Sequence, residues 1–148
     1  MECNQVNVSN FEEFITQYHL ALDAFFRGNP EPGKRLFDQS EETSLANPFG
    51  PVAMGWVQVS QAMDRAAANY LDGGATGFET LKRLVTTDLA YLVEMESFRS
   101  KIGTNHDFIS GALRVTTVLR PIDGVWKIVH RHADPITTPR TAETLLQK

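Results

Sequence analysis

Cysteine is nearly absent. Cys3 is the one such residue in 148, so no disulfide can form within the chain, and at this length a buried apolar core suffices without one. Long apolar runs are missing too: nothing approaches the roughly 18 consecutive apolar residues of a membrane span. The opening MECNQVNVSN has neither the basic start nor the apolar stretch of an export signal, which predicts a cytoplasmic protein with no membrane partner. Positive charge is in short supply. Lys and Arg number 14 against 18 Asp and Glu, a net charge of -4, and the basic residues are scattered instead of forming a stripe. Such a surface has little attraction for a phosphate backbone, so no nucleic-acid partner is expected. No glycine-rich phosphate loop, nucleophile elbow or cysteine-based metal motif occurs, and no cofactor is expected.

What is present has the composition of an ordinary globular domain, 42% hydrophobic and 22% charged. One domain over 1–148 is expected, with 1–8 and 138–148 as peripheral tails. Ser9 followed by Glu12 forms a capping-box pattern, after which Phe11, Phe14, Ile15, Tyr18, Leu22 and Phe25 recur at helical spacing. Gly28-Asn29-Pro30 ends that helix. A short second helix is predicted over Pro32 to Phe37 and a strand over Thr43 to Asn47, closed by a turn at Pro48-Phe49-Gly50-Pro51. A third helix runs from Trp56 to about Tyr70, stopped by Gly73-Gly74. From Gly77 the period falls to two, predicting strands near 77–86, 89–99, 109–120 and 125–134, the last two joined by a tight turn at Pro121-Ile122-Asp123-Gly124. Helices first and long strands later is the α+β layout, with about three helices on one face of a strongly bent antiparallel sheet.

The stretch TSLANPFGP followed by a helix, and the ending LRVTTVLRPIDGVWKIVHRHADP, resemble the SnoaL-like, ketosteroid isomerase-like branch of the nuclear transport factor 2-like superfamily. The WKIVHRH pattern is also similar to the association domain of calmodulin-dependent kinase. The resemblance implies a cone-shaped barrel with a cystatin-like fold, in which a bent sheet wraps a long N-terminal helix and leaves a pocket at the wide end. It further implies a homodimer through the convex sheet face, and a small apolar or carbonyl-containing ligand. Chemistry varies within such a fold and must be argued from the site. One departure matters: where ketosteroid isomerases carry the aspartate that moves the proton, this chain has Asn47, and an amide cannot take up a proton at neutral pH. The positions of that family's oxyanion donors fall near Thr116 and Ala21, so the standard steroid isomerase reaction is disfavoured.

Alternation along the last strand puts Trp126, Ile128, His130, His132 and Asp134 on one face and Lys127, Val129, Arg131 and Ala133 on the other. The tryptophan face is the expected interior, unless a bulge switches the parity. Leu92, Glu94, Glu96 and Phe98 share a face, and an inward carboxylate needs a partner, for which Arg114, His130 or His132 are available. Three readings remain open: an internal polar cluster that fixes register, a general acid/base pair drawn from Glu94, His130, His132 and Asp134, or a metal held by His130 and His132 with Glu94 or Glu96. The first two outrank the third, and no metal is assigned. Tyr18, Asn47, Phe49, Trp56, Glu96 and Arg114 are the expected ligand contacts. Two functions follow: proton-transfer chemistry of isomerase, cyclase or dehydratase type on a small apolar carbonyl compound, or a non-catalytic binding or oligomerisation module.

Overall fold

The computed structural model describes residues 10–146. Helix α1, Phe11–Phe26, buries Phe11, Phe14, Tyr18, Ala21, Leu22 and Phe26, which fall three and four apart on one face. Asn10 is its N-cap and makes no side-chain capping bond, and Ser9, the expected cap, lies outside the described residues. Glu12, of the expected capping box, pairs with Arg83. Gly28 follows at φ +100°, where a Cβ would stand 2.8 Å from the Tyr70 carbonyl oxygen, so both conformation and space demand glycine.

Helix α2 is short, Glu31–Lys34, and stops before the expected Phe37. The chain leaves it because Leu36 and Asp38 bond the last strand: Ile128 N–H donates to the Leu36 carbonyl at 2.8 Å, and Asp38 N–H to the Ile128 carbonyl at 2.9 Å. Strands β1, Ser44–Asn47, and β2, Gly50–Met54, form a hairpin where only one strand and a turn were expected. Pro51 is compatible with β2 because that strand is a sheet edge. Helix α3 covers Trp56–Ala67, and β3, Tyr70–Val85, starts well before Gly77. Gly73 and Gly74 therefore lie inside a strand and do not stop the helix. At Gly73 a Cβ would fall 2.1 Å from the Arg99 carbonyl oxygen, so this glycine lets β3 close onto the next strand.

Strands β4, Ala90–Ile102, β5, Ile109–Ile122, and β6, Val125–Asp134, complete a six-stranded sheet in the order β2-β1-β6-β5-β4-β3. The β1·β6 pair is parallel, and the other four are antiparallel. Leu92 and Phe98 of β4, Val115 and Leu119 of β5 and Trp126 and Ile128 of β6 meet α1 in one core. Burying a side chain such as Ile128 contributes roughly 1.5–3 kcal/mol. This is the expected α+β cone: three helices and a curled sheet.

The register of β6 contains the decisive irregularity. Leu119 pairs with Ile128 but Val118 pairs with His130, so Val129 is an extra residue, a bulge. Before it Trp126 and Ile128 are buried; after it Ala133 is buried and His132 exposed. Alternation has slipped by one.

Candidate functional site

Because of that slip, Arg131 enters the interior and His130 and His132 do not. An internal cavity of about 50 Å³ lies between α1, α3 and the sheet. Its walls are apolar, with Leu22, Phe26, Met63, Ile128 and Ala133 among them, and Tyr18, Tyr70 and Arg131 bring polar groups. Asn47, Pro48 and Phe49 line it from the β1–β2 turn, and Phe49, 46% exposed, forms part of a rim to solvent. The free space suits a few waters, or a group of a few heavy atoms, since one water needs about 10–15 Å³ of such space.

The polar end is a tight cluster. Arg131 donates from Nη1 to Glu96 Oε2 and from Nη2 to Glu96 Oε1, both at 2.7 Å, and also from Nη1 to the Tyr18 hydroxyl at 2.5 Å. The Glu96 side chain is fully buried and that of Arg131 is 12% exposed. Tyr18 in turn lies 2.7 Å from Thr117 Oγ1, and with Arg131 donating to its oxygen its own hydrogen goes to the threonine. Burial by itself would lower the pKa of Arg131, but the Glu96 charge overrides it and the guanidinium is held above its ordinary value. Burial pushes the Tyr18 phenol well above its usual range and Tyr70 up to about 12, against the opposing pull of Arg131. Both phenols are neutral donors at physiological pH. Three of the five guanidinium N–H groups are spent on Glu96 and Tyr18. The Nε–H and the second Nη2–H find no acceptor among the described residues, in a side chain that lines the cavity.

Glu94 is buried on the same face but is separately engaged. His19 Nε2 lies 2.9 and 3.1 Å from its two oxygens, and Thr80 donates to Oε2 at 3.1 Å. The partners foreseen for the two carboxylates, Arg114, His130 and His132, serve neither. They sit on the convex side: His130 Nδ1 is 2.8 Å from Ser44 Oγ, His132 is 54% exposed and 3.3 Å from Asp134, and Arg114 Nε donates to Asp134 at 2.7 Å. Asp134 also accepts from the Ile136 backbone N–H at 3.0 Å. Burial would raise its carboxyl, but the Arg114 bond first and the Ile136 bond second outweigh this and hold it below the usual carboxylate range. Hence His130, His132, Asp134 and Arg114 lie outside the cavity, contrary to expectation, and the metal arrangement fails because Glu94 and Glu96 face the other way. Among the described residues no group of three His, Cys, Asp or Glu is placed to hold a metal.

Of the expected ligand contacts, Tyr18, Asn47 and Phe49 line the cavity, and Glu96 stands behind Arg131. Asn47 also caps its turn, accepting the Phe49 N–H at 2.9 Å. Trp56 is not a wall; it packs beside Phe37, with ring centroids 6.2 Å apart. Two residues at the interior polar groups lay outside the expected set. Arg131 was placed outside by strict parity, although apolar Ala133 following polar His130 and His132 carries the phase change. His19 lies four residues after Ile15 and three before Leu22, on the flank of the apolar stripe, and that spacing is its only mark in the sequence.

Residues 37–137 match the profile of the SnoaL-like domain family. No curated protein sequence matches the chain significantly. Among solved structures, a nuclear transport factor 2-like superfamily protein from Salmonella enterica is similar at 21% identity and a TM-score of 0.74, over 94% of this chain and 97% of that one. A putative dehydratase of the NTF2-like family from Streptomyces avermitilis is similar at 19% identity and 0.70, over 91% and 99%. A ketosteroid isomerase-like protein from Erwinia carotovora atroseptica is similar at 16% identity and 0.71, over 89% and 98%. At such identities these structures speak for the fold alone, whereas the profile covers most of the sequence: the chain belongs to the SnoaL-like domain family.

Proposed function

We propose that the protein binds a small, neutral, mostly apolar molecule through a carbonyl or similar acceptor oxygen in the internal cavity. One observation carries this reading: Arg131, buried at the end of an apolar chamber, keeps N–H groups unused. A ligand oxygen accepting from them would gain hydrogen bonds from a charged donor, which are stronger than neutral ones. Because Glu96 cancels the guanidinium charge, the cluster as a whole is neutral and does not call for an anion. Polarising a carbonyl in this way is the first half of isomerase or dehydratase chemistry; the second half needs a base, and Glu96 is committed to Arg131. Binding with carbonyl polarisation is therefore the function the geometry favours. At about 50 Å³ the chamber takes a ligand of a few heavy atoms, and a larger one requires the Phe49 rim to move. A homodimer through the convex face, where Tyr91, Val93 and Met95 of β4 are half-buried, belongs to the same proposal.

Titration with acetone, isobutene and acetate, each of four heavy atoms, followed by NMR shifts, tests the reading. The ketone is expected to bind tighter than the hydrocarbon, the carboxylate weakest, and Arg131→Met should remove the preference for the ketone. Tightest binding by the carboxylate, or shifts that miss the cavity, would refute it.

A further inference from the structure

Outside the cavity, one buried titratable group remains without an assigned task. Glu94 is 1% exposed and no Lys or Arg pairs with it; among the described residues its partners are His19 and Thr80. Both carboxylate oxygens lie within hydrogen-bond distance of His19 Nε2, the geometry of a ring whose Nε2–H donates to the carboxylate. The imidazole is immobilised as well: the Phe78 ring lies parallel to it at 4.0 Å, with 1° between planes. In the neutral ring this leaves Nδ1 as a bare lone pair, and no described residue hydrogen-bonds to it. The two ring nitrogens point in nearly opposite directions. With Nε2 turned into the buried carboxylate, Nδ1 turns toward the opposite side, and the 26% exposed His19 lines an open groove of about 500 Å³ with Thr16, Leu20, Ala75 and Phe78. A carboxylate that sets the tautomer of a histidine, with the other nitrogen open to a groove, is the arrangement of a base and its orienting group.

We propose that His19 and Glu94 form a proton-accepting site for a weakly acidic hydroxyl compound of phenol or enol type, bound in the groove between α1 and β3. The ligand O–H donates to Nδ1 while its flat apolar body lies against Leu20 and the exposed part of Phe78. Proton transfer breaks the O–H bond and forms Nδ1–H, giving an imidazolium held between the phenolate and Glu94. Glu94 touches no ligand; it is a positioning residue. The site is independent of the internal cavity and of the function proposed for it.

The test uses the intact chain and p-nitrophenol, whose visible absorbance reports its ionisation. Binding is expected to shift the NMR resonances of Thr16, Leu20 and Phe78 and to raise the ionised fraction of the bound phenol. His19→Gln should weaken binding about tenfold or more, the loss of roughly 1.4 kcal/mol. Glu94→Gln should leave the phenol less ionised, a readout that a merely structural pair would not move. Thr16→Trp, which covers the groove from an exposed helix position, should also abolish binding, and acetone should not compete. Ring nitrogen shifts of the unmodified protein serve as a check that needs no variant. A His19 proton on Nδ1, no binding at millimolar p-nitrophenol, or ionisation unchanged in Glu94→Gln would overturn the proposal.

Discussion

Replacing Glu96 with leucine should expose how the interior tolerates a full charge. The carboxylate meets Arg131 through two parallel 2.7 Å bonds, with side chains fully buried and 12% exposed. Removing one partner of such a pair leaves an uncompensated charge and costs about 3–5 kcal/mol, whereas replacing both by apolar groups of similar size is often close to neutral. Glu96→Leu and Arg131→Met alone are each expected to fall in that range, and the double variant to recover most of the loss. In a chain of this size roughly 2–4 °C of Tm accompanies each kcal/mol, so each single variant should melt about 6–20 °C lower. Urea unfolding followed by the fluorescence of Trp56 and Trp126 measures all four corners of the cycle. Strict additivity, with the double variant as damaged as the two singles summed, would show that the charges do not hold each other and would remove the basis for a neutral cavity.

Other consequences are simpler to check. Burial first and the neighbouring His132 second hold the His130 pKa below its ordinary value of 6.5, so the unfolded chain binds that proton more readily than the folded one. Stability from this group is full above 6.5 and is lost as pH falls through the lower folded value; a urea midpoint that declines from pH 7.5 to 5.5, flattened in His130→Gln, is the expected pattern. Gly73→Ala, whose Cβ would meet the Arg99 carbonyl oxygen at 2.1 Å, should cost about 1–3 kcal/mol or more, while Gly77→Ala, with nothing within 4 Å, should be close to neutral by the same unfolding assay. Tyr18→Phe removes the acceptor for Arg131 and the partner of Thr117 and should lose about 1–3 kcal/mol by calorimetry; a loss near zero would mean that water satisfies both groups.

Much of the architecture was legible because it rests on period. The stripe from Phe11 to Phe25 gave α1, and the even spacing of Leu92, Glu94, Glu96 and Phe98 gave the inner face of β4. What local patterning could not reveal were features set by a distant neighbour. Gly73-Gly74 looks like a helix stop, but Gly73 answers to Arg99 and Ser100 on β4, and Gly74 to Asp23 and Arg27 at the end of α1. Pro51 reads as a turn residue, and only its place on an edge strand makes it compatible with β2. The candidate site suffered most from one residue: Val129 itself looks like any strand residue, the phase change shows only later at Ala133, and its bulging puts a guanidinium instead of imidazoles on the cavity side. His19 was hidden differently, since a helical histidine acquires meaning only when β4 delivers Glu94 and β3 delivers Phe78 and Thr80.

The bulge stands where β6 changes companions on the side away from β5: up to Ile128 it is joined by Leu36 and Asp38, and from His130 onward by β1. On either flank the pairing with β5 is regular. Excising Val129 would therefore keep Ile128 and Arg131 turned inward, and what the strand would forfeit is bend. Seen so, the surplus residue is a hinge pin in the wall of the cone, setting how tightly the sheet curls and hence how wide its chamber is.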